Sequence, residues 1–158
     1  MKKILLSLVV ASSVIVAEGA FSIGHKNFTF SISQDNDYTV IGGSLNYYVV
    51  DGLSTGVSFS TWLGDKPSIN QVTVPLTYYV PLESSFRPYV GAFVSRTFMG
   101  NDGAIKYEDY TSYGGRVGIA MQISGNSYMS FGWVQETYDN GQESGSRGYP
   151  EFGGGISF

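Results

Sequence analysis

Glu151-Phe152-Gly153-Gly154-Gly155-Ile156-Ser157-Phe158 closes the sequence and decides how the rest is read. Phe152, Gly154, Ile156 and Phe158 share one parity; Glu151, Gly153, Gly155 and Ser157 share the other. Successive side chains of an extended chain point to opposite faces. Such a strand therefore has one face for hydrocarbon and one for a packed or wet interior.

The same period of two recurs upstream, between turn signals, and predicts eight strands. The first covers 21–33, with Phe28, Phe30 and Ile32 outward. Phe21 and Ile23 have the opposite parity, which predicts a bulge or strand start near Gly24 to Asn27. The second, 38–50, turns Ile41, Leu45, Tyr47 and Val49 outward and ends in the Asp51-Gly52 hairpin turn. The third, 53–63, alternates Leu53, Val57, Phe59 and Leu63 against Ser54, Gly56, Ser58 and Ser60. The fourth, 69–80, turns Val72, Val74, Leu76, Tyr78 and Val80 outward, with an irregularity expected at Pro75, which has no ladder donor. The fifth, 88–98, is apolar on both faces and leaves its facing open. The sixth, 113–123, turns Val117, Ile119, Met121 and Ile123 outward. The seventh, 128–138, turns out Met129, Phe131 and Trp133, and the closing stretch is the eighth. The longest loops are expected at 99–112 and 139–148.

An even number of strands, each near the ~9–11 residues that cross a bilayer, predicts an all-β fold: an eight-stranded antiparallel up-and-down transmembrane β-barrel. Grouped by height, aromatic residues form two belts. Tyr47, Tyr78, Tyr89, Tyr128 and Phe158 fall near the rim that carries the termini; Tyr38, Trp62, Phe98, Tyr113, Tyr138 and Phe152 fall near the other.

The N-terminus reads as an export signal. Lys2 and Lys3 form a basic start, and Ile4 to Val16 is an apolar run too short to span a bilayer. Cleavage is expected after Ala17, with Gly19 as the alternative, leaving 18–158 as one domain of roughly 140 residues. The termini and short turns would then lie in the periplasm. Losing Lys2 and Lys3 leaves 13 acidic residues against 7 basic ones, a balance unsuited to nucleic acid. No cysteine is present, which excludes disulfides, thiolate metal sites and cysteine nucleophiles.

Glu151, Gly153, Ile156 and Phe158 resemble the C-terminal signal by which outer-membrane barrels are recognised for assembly. Arg87-Pro88-Tyr89-Val90-Gly91-Ala92, Tyr113-Gly114-Gly115-Arg116-Val117-Gly118 and the final Gly-Ile-Ser-Phe carry a wider likeness. The chain resembles the small eight-stranded outer-membrane barrels of the opacity-protein and outer membrane protein A type, over the whole mature length. The resemblance implies outer-membrane lipid and lipopolysaccharide as surroundings, and barrel-assembly machinery and periplasmic chaperones as partners. A monomer is expected. No peptidoglycan-binding domain follows the last strand here, so an anchoring role is not expected. Such barrels host structural, adhesive, porin-like and enzymatic roles, so the fold does not choose among them.

Charges inside strands are few. Arg116, Glu136 and Glu151 have lumen parity, as does Arg96 if the fifth strand faces that way. Pairing about the loop centres predicts one row, Arg96, Arg116, Glu136, Glu151, at a single level in the outer half of the lumen. Such a row is either a plug of mutually satisfied charges or a selectivity constriction.

Other candidates are weaker. His25, the single histidine, has no carboxylate placed to orient it and reads as a polar interior or rim residue, not a base. Asp102, Glu108 and Asp109 lack the spacing of a calcium loop and read as solvated acids. The glycine run 153–155 suits close strand packing better than a phosphate loop. No enzymatic activity, cofactor or metal is expected. Three functions compete: a plugged scaffold or surface-interaction barrel, a narrow pore, and a soluble ligand-binding barrel with its apolar face inside. The aromatic belts and terminal Phe158 disfavour the last.

Overall fold

A computed structural model describes residues 20–35, 37–64, 67–82, 84–100, 108–139 and 144–158. The expected export signal, 1–17, lies outside them. Eight strands follow one another: β1 (Lys26–Asp35), β2 (Tyr38–Val50), β3 (Leu53–Leu63), β4 (Ile69–Tyr79), β5 (Phe86–Met99), β6 (Tyr110–Gln122), β7 (Ser127–Asp139) and β8 (Ser144–Ser157). Each pairs antiparallel with its neighbours, and β8 returns to β1 to close the barrel. Closure leaves no sheet edge around the waist, so the backbone satisfies its own hydrogen bonds there.

The alternation of the sequence becomes the two faces of the wall. Val57 and Phe59 of β3, Val74 and Leu76 of β4, Val117 and Ile119 of β6, and Phe131 and Trp133 of β7 are all about half exposed. Between them Ser54, Gln71, Thr77, Ala120 and Val134 are buried in the lumen. Apolar outside and polar inside is the inverse of a soluble barrel, and it suits a hydrocarbon solvent.

Two turns show why their sequences sit where they do. Gly52 has φ 78°, and a Cβ there would come within 2.3 Å of the Tyr79 carbonyl oxygen, so the Asp51-Gly52 turn admits only glycine. At Pro75 the β3–β4 register runs to Thr55↔Leu76 and resumes at Ser58↔Thr73. The missing ladder donor is the cause, and the Thr55 hydroxyl donates to the Pro75 carbonyl at 2.9 Å.

Several expected bounds shift. β1 starts at Lys26 rather than residue 21, because the chain before it leaves the wall and enters the barrel. β5 and β6 extend toward their shared loop, to Met99 and back to Tyr110. β8 starts at Ser144, so half of the expected loop 139–148 is strand. The β1–β8 ladder runs only from Asn27↔Ser157 to Ser33↔Glu151, and the first part of β8 rises past it, paired to β7 alone.

Candidate functional site

The lumen is filled in three tiers. At the end that carries the termini, residues 20–24 turn inward and bring Phe21 to 2% exposure. Its ring lies 4.7 Å from that of Tyr79, 5.0 Å from Tyr128 and 6.0 Å from Tyr48, with the Arg87 guanidinium 4.8 Å from its centroid. Aromatic and cation–π contacts of this kind add to simple burial. The backbone is tied down around it. Gly52 N donates to Phe21 O at 2.8 Å, Ile23 N to Asp51 Oδ1 at 2.8 Å, and Gly24 N to Tyr48 O at 2.9 Å. The Ser157 hydroxyl donates to Ala20 O at 2.5 Å. Asn27 closes the tier, donating to the Tyr128 hydroxyl at 2.7 Å and accepting from Asn46 at 3.1 Å.

The middle tier holds the Arg116–Glu151 ion pair. Arg116 also lies 5.4 Å over the Tyr89 ring. Tyr89 lies flat along Gly118 of β6 and Gly132 of β7, which are register partners. A Cβ on Gly118 would stand 2.6 Å from the ring, and one on Gly132 2.2 Å from the hydroxyl. The glycines are therefore the slot that lets a tyrosine face inward. Around this tier a polar cavity of about 100 Å³ is lined by Ser31, Ser44, Ser58, Ser60, Thr73, Ser95 and Ser130, among others. Its hydroxyls pair in part with one another, Thr73 with Ser95 at 2.8 Å and Thr29 with Ser44. A chamber of that size and polarity holds a few waters.

Toward the loop end Glu136 is fully buried. Arg147 Nε and Nη2 donate to its Oε2, both at 2.9 Å; Gln71 donates to Oε1 at 3.0 Å and the Tyr149 hydroxyl to Oε2 at 3.4 Å. Arg147 reaches Asp35 at 3.6 Å and covers the Trp62 ring at 4.2 Å, with Tyr138 at 5.6 Å. One guanidinium thus links β7, β8, β1 and β3 where the β1–β8 ladder has already stopped.

The expected single row is not what forms. Arg96 lies on the outer wall, exposed, and donates to the Thr111 hydroxyl at 3.0 Å. Loop centres set the register: Arg96 pairs with Thr111 and Arg116 with Gly91, while Glu136 pairs with Arg147 and Glu151 with Gly132. Two separate ion pairs result. Arg147 falls within 139–148, which reads as loop from its sequence, and Tyr149 stands at the first position after it, so neither joins the expected row. Counting back by twos from Glu151 would have placed both in the lumen.

The aromatic belts also need correction. Tyr89 and Tyr128 are buried inside, at 2% and 3% exposure, because height along a strand does not fix facing; Met129 outward obliges Tyr128 to turn in. Trp62 lies under Arg147, Tyr38 meets it edge-on at 5.9 Å, and Tyr138 is half-buried beside Tyr110. Tyr47, Tyr78, Phe98, Tyr113, Phe152 and Phe158 are exposed on the outer wall. Of the remaining residues of the closing motif, Gly153 packs against the β1 backbone, while Ile156 faces outward. His25 sits between the plug and β1, its carbonyl accepting from Tyr48 N at 3.0 Å. Asp109 accepts from Met99 N at 3.1 Å, Glu108 is exposed, and Asp102 lies outside the described residues. Among the described residues no cluster of three metal-type ligands forms.

No protein-family model and no curated protein matches the sequence. Solved structures do match. The N-terminal β-barrel domain of Pseudomonas aeruginosa OprF gives a TM-score of 0.67 at 15% identity, covering 86% of this chain and 98% of that one. Neisserial surface protein A gives 0.61 at 14%, covering 85% and 95%. The outer membrane protein OprG from Pseudomonas aeruginosa gives 0.56 at 13%, covering 88% and 98%. The fold is that of the small eight-stranded outer-membrane barrels, and its apolar outer face is the one such a barrel turns to lipid.

Proposed function

We propose that the chain is an integral outer-membrane barrel whose wall and rims carry its role, as an envelope scaffold or surface-interaction protein, and whose lumen does not conduct. The carrying observation is that both ends of the lumen are filled: the Phe21 tier packs below and the Arg147–Glu136 tier above a chamber of about 100 Å³. An ion crossing would have to displace an aromatic plug and break a buried ion pair. The hydroxyl-rich chamber is what speaks for the second reading, a narrow pore gated at its ends.

Planar-bilayer recording separates the two. Wild type is expected to be silent, and Phe21→Ala combined with Arg147→Ala and Glu136→Ala to give current steps. Steady conductance from wild type would establish the pore reading instead.

The barrel-assembly machinery and chaperones remain the partners proposed for the closing strand. Phe158 offers an exposed ring for recognition, while its backbone pairs with Lys26 at 2.8 and 3.0 Å. Deleting Phe158 is expected to deplete the protein from the outer membrane of producing cells. Normal surface levels would show that recognition lies elsewhere.

A further inference from the structure

The outer wall carries one charge that the lumen does not explain. Arg96 stands on the lipid-facing parity of β5, between Val94 and Phe98 on its own strand. Its register neighbours are Val72 on β4 and Thr111 on β6, with Tyr113 beside Val94. Val72, Val94, Phe98 and Tyr113 are all exposed on the same face. The guanidinium therefore emerges from an apolar surface. Among the described residues its guanidinium donates one hydrogen bond, to the Thr111 hydroxyl, and no carboxylate lies within ion-pair distance.

Its height explains how it is tolerated. Above Val72, Tyr113 and Trp133 the outward positions of the neighbouring strands turn polar: Asn70 on β4, Thr111 on β6, Gln135 on β7. Arg96 belongs to this first polar tier, where hydrocarbon gives way to headgroups. An arginine on a barrel wall is costly at the midplane and nearly free at that level. An arginine there snorkels, its stem on apolar surface and its head among polar groups.

Resting on the outer-membrane reading above, we propose that Arg96 is a docking site for a phosphate of lipid A, the phosphorylated glucosamine anchor of lipopolysaccharide. Three features point to that chemistry. The guanidinium fork matches phosphate oxygens in pairs and is weakly hydrated, so it keeps such contacts in a half-dry setting. Thr111 holds Nη1 and leaves the other donors for an acceptor. Val94 and Val74, one rung nearer the midplane, offer a dry wall for the acyl chains beneath the phosphate, Phe98 flanks it from above, and the Tyr113 phenol offers a further hydrogen-bonding group at its side. The loop end, to which this tier belongs, faces the leaflet that contains lipid A once the termini lie in the periplasm.

The test uses the full mature barrel refolded into phosphatidylcholine vesicles, alone or with increasing mole fractions of bis-phosphorylated lipid A. Heat-modifiable gel migration reports insertion; the thermal unfolding midpoint reports lipid binding. Wild type is expected to rise in midpoint with phosphorylated lipid A, and not with dephosphorylated lipid A or soluble inorganic phosphate. Arg96→Gln is expected to insert equally well and to need about tenfold more lipid A for the same rise, as suits loss of a charge-assisted contact. Arg96→Lys keeps the charge without the fork and falls between. An Arg96→Gln curve that overlays wild type overturns the proposal. An equal rise with phosphatidylglycerol overturns the assignment to lipid A, leaving a general anionic-lipid contact. Failure of wild type to insert into any vesicle overturns the membrane-spanning reading itself, and this site with it.

Discussion

Glu136→Ala is expected to destabilise the inserted barrel by about 3–5 kcal/mol. The carboxylate is fully buried and takes hydrogen bonds from Arg147, Gln71 and Tyr149. Removing it strands the Arg147 charge on the Trp62 ring, with Asp35 at 3.6 Å and the Tyr110 hydroxyl at 3.5 Å as weaker partners. A buried charge that loses its counter-ion costs far more than the pair contributes over an apolar substitute. Replacing both partners, as Glu136→Met with Arg147→Leu, is therefore expected to recover most of the loss. Urea unfolding of the vesicle-inserted proteins measures both, and a double-mutant cycle gives the coupling. Equal losses in the single and double variants would mean that packing against Trp62, not charge pairing, holds this tier.

Phe21→Ala is expected to release the plug while leaving the barrel standing. Truncating a buried phenylalanine costs about 3–5 kcal/mol where the surroundings cannot move. Here the segment can simply undock, so the loss is capped by its own docking free energy. The reporters are the amides that docking alone protects: Gly24, which donates to Tyr48 O, and Gly52, which donates to Phe21 O. A loss near 3 kcal/mol speeds their hydrogen exchange by about a hundredfold, while amides at the middle of β5 and β6 keep their protection. Truncating the mature chain through Gly24 should add little beyond the point variant. If Gly24 and Gly52 exchange as in wild type, the backbone ties alone suffice to hold the segment.

The wall was legible because its physics has a period of two. β3, β4, β6 and β7 each show one apolar parity, and each faces as that parity dictates. β5 was not legible, since Tyr89 and Phe93 on one face match Val90 and Val94 on the other. What turns Tyr89 inward is a slot made by Gly118 and Gly132, a fact of neighbouring strands rather than of its own. The ion pairs failed differently. Arg116, Glu136 and Glu151 all point into the lumen, but level depends on where each loop is centred. The Ser and Gly residues from 144 to 148 looked like a loop because they are polar on both faces. They are strand above the apolar belt, where polarity no longer distinguishes wall from loop. Phe21 carried a correct signal, its reversed parity, whose cause was a chain leaving the sheet rather than a bulge within it.

The short β1–β8 ladder sets the tempo of folding. It joins the first and last strands, so its contacts lie among the most distant in sequence between the described residues, and beside it the Ser157 hydroxyl meets Ala20 O across 137 positions. Contacts of such separation form last, because the entropy of closing the chain is lost before any of them repays it. Every other strand pair can zip from a neighbouring turn. Until the final seam joins, β1 and β8 are two open edges, and the N-terminal residues have no finished pocket to enter. The slowest event in this protein's biogenesis is then the meeting of its two ends, and insertion of Phe21 marks its completion.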